Sequence, residues 1–596
     1  MKLTTNIILF LLLISLHVSI SGLLVESHAL FYLAATGLLV IVLCFSRNNT
    51  HINYGSSAII GLIVYLLVSY AIRGNIYGTN WVYIILVCWI LFFALKQLFF
   101  ENKHFVRKVF WFIVVGAYIE IIIGFGQSFG FIANSNRHFV IGGSLGNPGA
   151  FSGYLSVITP LVLSLAFVYK RNKKAENLYY TLLACFGFML FFIISLQSRG
   201  AWIACLIGCI FVINNQYSIH KKIFKFLRSS VRKISAILCA LILFSAGFYA
   251  LYQFKADSAF GRLFVWKVTM LTPHNNILVG DGIGSFEANY GKWQMDYFAN
   301  EKGTESERYV ADYVTCAYNE FLNAYIDQGA IGLLLLLTVL FFAFRRKNTN
   351  KSMLVMGAKA SLLAIIVLSC VSYPFKSPLI YLQFIISLAI ILYQPQKNDF
   401  KMNKHFMQLR FIYPVLGLLI IVVGCRNLYG YNLLYNGQKA VFTNQVDDAL
   451  EIYNDAYPIL YNNGIYLFYY GSALALDEQY NESIDMLEKS IKKSSNPNNF
   501  ILLGNNYKKI GIFENAKRAY LNAIYSTPSK LYPKYLLVQL LMETSHQAEA
   551  YEWANEILLT KEKVPTTAAK EIKDEMSHLL NNELSNLKND LPMEKY

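Results

Sequence analysis

Apolar residues in the first 428 positions fall into about thirteen runs, at 5–24, 28–46, 55–72, 80–100, 107–131, 149–169, 178–196, 200–215, 234–253, 328–344, 354–373, 378–394 and 411–428. A helix needs roughly 20 such residues to cross a bilayer. From about residue 430 the chain turns polar and charged, which marks the main domain boundary. The pattern predicts an all-α chain: a polytopic transmembrane helix bundle of about 12–13 spans over 1–428, interrupted by a large loop at 254–327, then a helical solenoid over 429–565, and a capping helix and tail over 566–596. The run beginning near the N-terminus reads as a retained first span, because a second run follows at once.

A period of 33 to 34 residues runs through the tail. Gly437, Gly471, Gly504 and Val538 share one register, and Ala449, Ser483, Ala516 and Ala550 a second. Tyr453, Leu487, Tyr520 and Ala554 form a third, and Ala456, Ser490, Ala523 and Ile557 a fourth. Small residues at helix crossings, followed four positions on mostly by an aromatic or Leu, resemble tetratricopeptide repeats. Such a stack offers a concave surface to a protein partner, or serves as a plain stability module.

Charge orients the spans. Every second connection is basic, for example Lys103–Lys108, Lys170–Lys174, Lys221–Lys233 and Arg345–Lys351, and the short intervening ones are poor in Lys and Arg. The positive-inside rule then sets the N-terminus in the cytoplasm and, after thirteen crossings, the repeats on the outer face, the periplasm of a bacterium. Connections 132–148, 197–200 and 254–327 all fall on that outer side. With 55% hydrophobic and 15% charged residues, the chain lies well below the roughly 25% charge of a soluble domain. The net charge of +16 sits largely in the short loops, so it does not point to nucleic acid, and no basic patch is interleaved with aromatics. Of nine Cys, only Cys316 lies in a long loop; none has metal-ligand surroundings, so they read as small core residues.

Several outer-side residues could carry chemistry. Arg199 opens Ser198-Arg199-Gly200-Ala201-Trp202 at the membrane edge, where a guanidinium can grip phosphate oxygens or act as an interfacial anchor. Gly261-Arg262-Leu263-Phe264-Val265-Trp266-Lys267 reads as a helix with Arg262, Trp266 and Lys267 toward a common face, either a phosphate grip or an interfacial helix. Glu120, inside a span, is an interhelical hydrogen bonder or a functional carboxylate. Asn147-Pro148-Gly149 opens a helix.

Four segments in this order resemble the O-antigen ligase and polymerase superfamily, which includes bacterial O-oligosaccharyltransferases. They are Gly142 to Pro148; Ser198 to Trp202; Gly261 to Lys267 followed by Gly280-Asp281-Gly282-Ile283-Gly284-Ser285-Phe286; and Tyr318-Asn319-Glu320-Phe321-Leu322 followed by Asp327 and Gly329. The resemblance covers about residues 1–428 and implies a GT-C-like bundle. It implies a glycosyltransferase that moves a glycan from an undecaprenyl diphosphate to an acceptor hydroxyl, on a glycolipid or a protein, at the periplasmic face of the inner membrane. It implies Arg199 and Arg262, with Lys267, as diphosphate-binding residues, and no metal or other cofactor. Tyr318 stands where many members carry His, and Asp327 where they carry Glu. The catalytic candidates are therefore Tyr318, Glu320 and Asp281, with Asp312 as another carboxylate that could take the proton; Asn147, Asn319 and Asp327 are supporting residues. A phenol titrates near 10, so Tyr318 is a poor base and a better positioning group. The alternatives are a repeat-unit polymerase of the same fold, or a non-catalytic envelope scaffold built on the repeats. A transporter would show internal pseudo-symmetry, which the sequence lacks.

Overall fold

The computed structural model describes residues 2–17, 24–45, 51–73, 79–136, 138–170, 175–226, 234–235, 238, 253, 255–274, 276–348, 352–396, 399–401 and 412–590. Each expected span falls on an apolar helix except 234–253, which lies almost wholly outside the described residues. Eight of these helices are long and apolar enough to cross a bilayer, and shorter apolar helices accompany them. The fold is all-α: a membrane helix bundle joined to a solenoid of helix pairs. Among the described residues the one sheet is a two-residue antiparallel pairing of His51–Ile52 with Phe400–Lys401.

Pro148–Tyr169 is the central post of the bundle, buried along nearly its whole length. Glu176–Ser195, Arg199–Tyr217 and Met353–Ser369 pack around it. Small residues allow the close approaches: a methyl on Gly208 would meet Pro160, and one on Gly153 would meet Leu368. Glu120 lies at the opening of this post. It is fully buried and accepts hydrogen bonds from the Ser144 amide (3.0 Å) and hydroxyl, and it pairs with His17 Nδ1 at 2.8 Å. The Glu120 carboxylate thus ties the N-terminal helix and the 142–147 turn to His104–Ser128, the interhelical role the sequence allowed.

The 254–327 stretch contains three helices, Ala256–Leu271, Ser285–Ala299 and Glu305–Val310. The next span starts at Glu320, eight residues before the apolar run begins at 328, because Asn319 caps it; the Asn319 carboxamide oxygen accepts from the amides of Phe321 (3.0 Å) and Leu322 (3.1 Å). The helix Glu320–Arg345 is broken at Gly329, whose φ of 68° and ψ of −173° exclude residues with a side chain. The break strands the amides of Ala330 and Ile331 and the carbonyls of Ile326 and Asp327. A strap from the preceding loop meets all four: Ala330 donates to Ile277 (2.9 Å), Ile331 to Leu278 (3.0 Å), and Asp281 and Gly282 donate to Ile326 (2.9 Å) and Asp327 (2.8 Å).

The expected boundary at 428 falls inside one continuous helix, Ile412–Phe442, so the last span runs straight into the first repeat. Helix pairs follow: Gly464–Leu476 with Tyr480–Lys493, Pro497–Lys509 with Phe513–Ser526, and Leu531–Glu543 with Gln547–Leu559, closed by Thr567–Asp590. The sequence registers are packing partners. A methyl on Gly437 would lie 2.5 Å from the Tyr453 ring, one on Gly471 3.1 Å from Leu487, and one on Gly504 2.5 Å from Tyr520. In the last pair the sizes exchange: the bulky Val538 and the small Ala554 are both buried.

Gly329→Ala forces a methyl to within 2.3 Å of the Leu278 carbonyl oxygen. It is expected to destabilise the protein by about 1–3 kcal/mol. A lowered unfolding midpoint in detergent checks this; an unchanged midpoint would mean the break tolerates a side chain.

Candidate functional site

Several of the candidate residues meet at a short turn that follows Met353–Ser369. Arg262 projects from Ala256–Leu271, donates to the Val371 carbonyl, and lies with its guanidinium carbon 5.4 Å from the centre of the Tyr318 ring. Trp266, one turn on, donates its indole N–H to Ala317 at 2.7 Å, so both residues grip the segment leading into Tyr318. Gly200, directly after Arg199, packs on the side chain of the same Val371, since a methyl there would lie 3.1 Å from Val371 Cγ2. Half-buried Arg199 is the first residue of Arg199–Tyr217, and the two Arg-bearing helices therefore converge on one residue.

Tyr318 has a φ of 50°, a left-handed backbone that is rare for an aromatic residue. Its ring stands edge-on to Tyr373 with centroids 5.6 Å apart. Burial above all pushes its phenol well above the ordinary value, against the pull of Arg262. The phenol is thus a hydrogen-bond donor at neutral pH and not a base. Arg262 is pulled below its ordinary value, chiefly by burial. Among the described residues no carboxylate pairs with it. A half-buried cation held by a neutral carbonyl and a ring face retains a preference for an anion.

Glu320 accepts the Phe375 amide at 2.7 Å. It lines a cavity of about 100 Å³ together with Glu287, Asn323, Asp327 and Lys376 on a polar side and Leu62, Trp89 and Phe384 on an apolar side. Lys376 pairs with Glu287 at 2.8 Å. Burial opposes the Lys376 charge, but Glu287 holds the ammonium above its ordinary value.

The other sequence candidates sit elsewhere. Lys267 does not share the Arg262 face: five residues along a helix is a rotation of roughly 140°, and Lys267 pairs with Glu307 at 2.6 Å. Glu307 is itself fixed by the Thr304 capping box and by Tyr297. Asp281 belongs to the strap. Its carboxylate accepts from Asn276 at 3.0 Å and its amide from the strap reaches Ile326, two helical turns, roughly 12 Å, along from Tyr318. Buried Asp327 accepts from the Gly284 amide (3.0 Å), the Ser285 hydroxyl (2.9 Å), the Phe286 amide (3.2 Å) and the Asn323 carboxamide (3.2 Å), which locks Ser285–Ala299 to the broken helix. Asn147 caps Pro148–Tyr169 through the amides of Gly149 (2.8 Å) and Ala150 (3.3 Å). Burial pushes the Cys316 thiol up to about 11, which leaves it unreactive. No group of three metal-ligating side chains occurs among the described residues.

Sequence reading missed Val371, Tyr373, Lys376 and Glu287. The one available signal was that connection 374–377 alternates onto the same side as the other three, yet carries Lys376.

The repeats touch this unit directly. Lys563 donates to the carbonyls of Val310 (3.3 Å) and Ala311 (3.0 Å) and pairs with Asp312 at 3.2 Å. The Tyr313 hydroxyl meets the Ser494 hydroxyl at 2.9 Å, and Gln294 donates to the Ser526 carbonyl at 2.5 Å. Asp312 is thereby held by the repeats, a few residues before Tyr318.

These features define a multi-pass helical membrane protein with a polar, cation-bearing site roofed by short helices and buttressed by a repeat stack. Residues 184–337 match the family model described as O-Antigen ligase. That match spans Arg199, Arg262, Tyr318 and Glu320 and supports a domain of the ligase and polymerase kind, in line with the resemblance of the sequence segments there. No curated protein matches the chain. One solved structure, the crystal structure of the APC/C hetero-tetramer Cut9-Hcn1, aligns over 93% of this chain and 90% of its own with 9% identity and a TM-score of 0.23, a likeness too slight to bear on the fold.

Lys563→Ala is expected to speed amide hydrogen exchange across 310–318 while leaving the repeat helices protected. Exchange as slow as in the parent protein would dismiss the clamp.

Proposed function

We propose that the protein is a glycosyltransferase that moves a glycan from an undecaprenyl-diphosphate carrier to an acceptor hydroxyl on the periplasmic side of the bacterial inner membrane. The observation that carries this reading is the half-buried Arg262, with no carboxylate partner among the described residues, meeting the Arg199 helix at Val371. The acceptor oxygen attacks the anomeric carbon, and the bond from that carbon to the diphosphate breaks. The electron pair stays on the lipid diphosphate, whose developing charge Arg262 and Arg199 stabilise. Glu320 takes the hydroxyl proton: it sits two residues from Tyr318 and lines the cavity. Tyr318 orients a sugar or acceptor oxygen by donating its phenolic O–H. Lys267, neutralised by Glu307, adds at most a distant positive field.

Basic loops on one face and the site on the other support a cytoplasmic N-terminus. The repeats share the site's side, because Lys563, Ser494 and Ser526 contact the unit that bears it. Their position beside Asp312 favours a polypeptide acceptor over a glycolipid. Deleting the gene and comparing surface lipopolysaccharide with periplasmic glycoproteins tests the acceptor. Loss of glycoprotein alone supports this reading, and loss of lipopolysaccharide alone moves the acceptor to lipid. Repeat-unit polymerisation on the same site would instead shorten the glycan chains.

Arg262→Ala and Arg199→Ala are each expected to cut transfer by about 100-fold or more at unchanged protein level. Arg262→Lys should not restore it, because an ammonium lacks the planar fork. Full activity in both alanine variants, measured with a purified lipid-linked donor, would refute the diphosphate role. Tyr318→Phe should cost less than either arginine and leave the alkaline limb of the pH–rate profile in place, since the phenol stays protonated there. An alkaline limb that vanishes with the hydroxyl would make Tyr318 the titrating group.

A further inference from the structure

The strap that fills the break at Gly329 carries a row of outward apolar side chains. Met270 (70% exposed) and Leu271 (61%) end the helix that bears Arg262, and Ile277 (56%), Leu278 (65%) and Val279 follow in the loop. In a loop bathed by water this would be an unusual concentration of bare hydrocarbon.

The strap's depth is readable from its partners. The Tyr65 hydroxyl shares its one proton between the Gln328 carbonyl and the Val279 carbonyl, the latter at 3.1 Å. Tyr54 stacks on Phe342 at the other end, so Tyr54–Arg73 and Glu320–Arg345 run antiparallel, with Arg73 at the site end. Tyr65 lies about two turns, roughly 12 Å, inside that end. The strap's contact with Ala330 and Ile331 is at a similar depth below Glu320.

The carbonyls of the strap find partners within the protein. The carbonyls of Asn276, Ile277, Leu278 and Val279 accept, in order, from Gly280, Ala330, Ile331 and Tyr65. Thr269 and Thr272 return their hydroxyls to the carbonyls four residues back, His274 bonds the Thr269 carbonyl, and Asn276 donates to Asp281. Pairing these acceptors lowers the cost of placing a non-helical turn beside hydrocarbon. The apolar row also continues the exposed flank of the two spanning helices, which includes Val64, Leu67, Leu334 and Leu337.

We infer that Met270, Leu271, Ile277, Leu278 and Val279 enter the acyl chains of the leaflet on the site's side, so that a segment expected to lie wholly outside the membrane is a re-entrant anchor. The occupant of this surface is lipid, because the row is continuous with spanning-helix faces and shares their depth. The anchor fixes the height of Arg262, two turns back along its helix, near the headgroup level. This inference rests on the membrane-spanning fold and not on the transfer reaction.

The test uses the full chain in phospholipid nanodiscs, with a benzophenone amino acid introduced singly at positions 270, 278, 334 and 301. After irradiation, mass spectrometry reads phospholipid adducts. Position 334 on a spanning helix should give adducts, and position 301 in the exposed turn after Ser285–Ala299 should not. Positions 270 and 278 are expected to match 334. Adducts at 334 but at neither 270 nor 278 would overturn the anchor, and position 270, outside the strap's hydrogen bonds, keeps the test valid if a substitution at 278 disturbs the break. The readout needs no turnover, so it stands or falls apart from the enzymatic reading.

Discussion

A helix in hydrocarbon cannot leave backbone amides and carbonyls bare, and Glu320–Arg345 is broken at Gly329 within the membrane-spanning bundle. That one constraint organises the site. The strap must sit in the break to meet four stranded groups, and Asp327 then draws Ser285–Ala299 onto the same helix through Gly284, Ser285 and Phe286. The segment 311–318 then leads back to the membrane between the Trp266 indole and the repeats. Tyr318 ends that path in a strained conformation, under Arg262 and beside Tyr373. A Cβ on Gly280 would lie 2.3 Å from the Gly329 amide nitrogen, so the two glycines are a matched pair separated by a long stretch of sequence.

The electrostatics follow from that enclosure. Arg262 is held by a carbonyl and a ring face, neither of which cancels its charge, whereas Lys267 and Lys376 each have a carboxylate of their own. A cation left in this state suits a multiply charged oxyanion better than solvent does. The carboxylates divide the same way. Asp327 is saturated by four donors and serves the scaffold, while Glu320 spends one oxygen on Phe375 and still faces the cavity.

The repeat stack is continuous with the last span through Ile412–Phe442 and returns to clamp the 310–313 segment through Lys563 and Ser494. The chain therefore holds its site from two directions, from below by the broken helix and from above by the solenoid.

Much of this was legible in the sequence. The apolar runs, the alternation of basic connections and the 33–34-residue period determined the class of fold, because each is a local periodic signal that burial in lipid or in a repeat stack makes obligatory. Asn147 could be read as a helix start because a cap acts on its own helix, whereas Asn319 entered only through the family resemblance. Arg262 and Trp266 could be paired because helical spacing alone sets their common face. The tertiary structure decided the rest: that Lys267 turns to Glu307, that Asp281 belongs to a strap and not to Tyr318, that the helix begins at Glu320, and that Val371, Tyr373 and Lys376 form the meeting point. Those outcomes depend on which distant segments fill the gap at Gly329 and which carbonyl faces a half-buried guanidinium. No periodicity records such pairings, since they arise only when separate helices are brought within hydrogen-bonding distance.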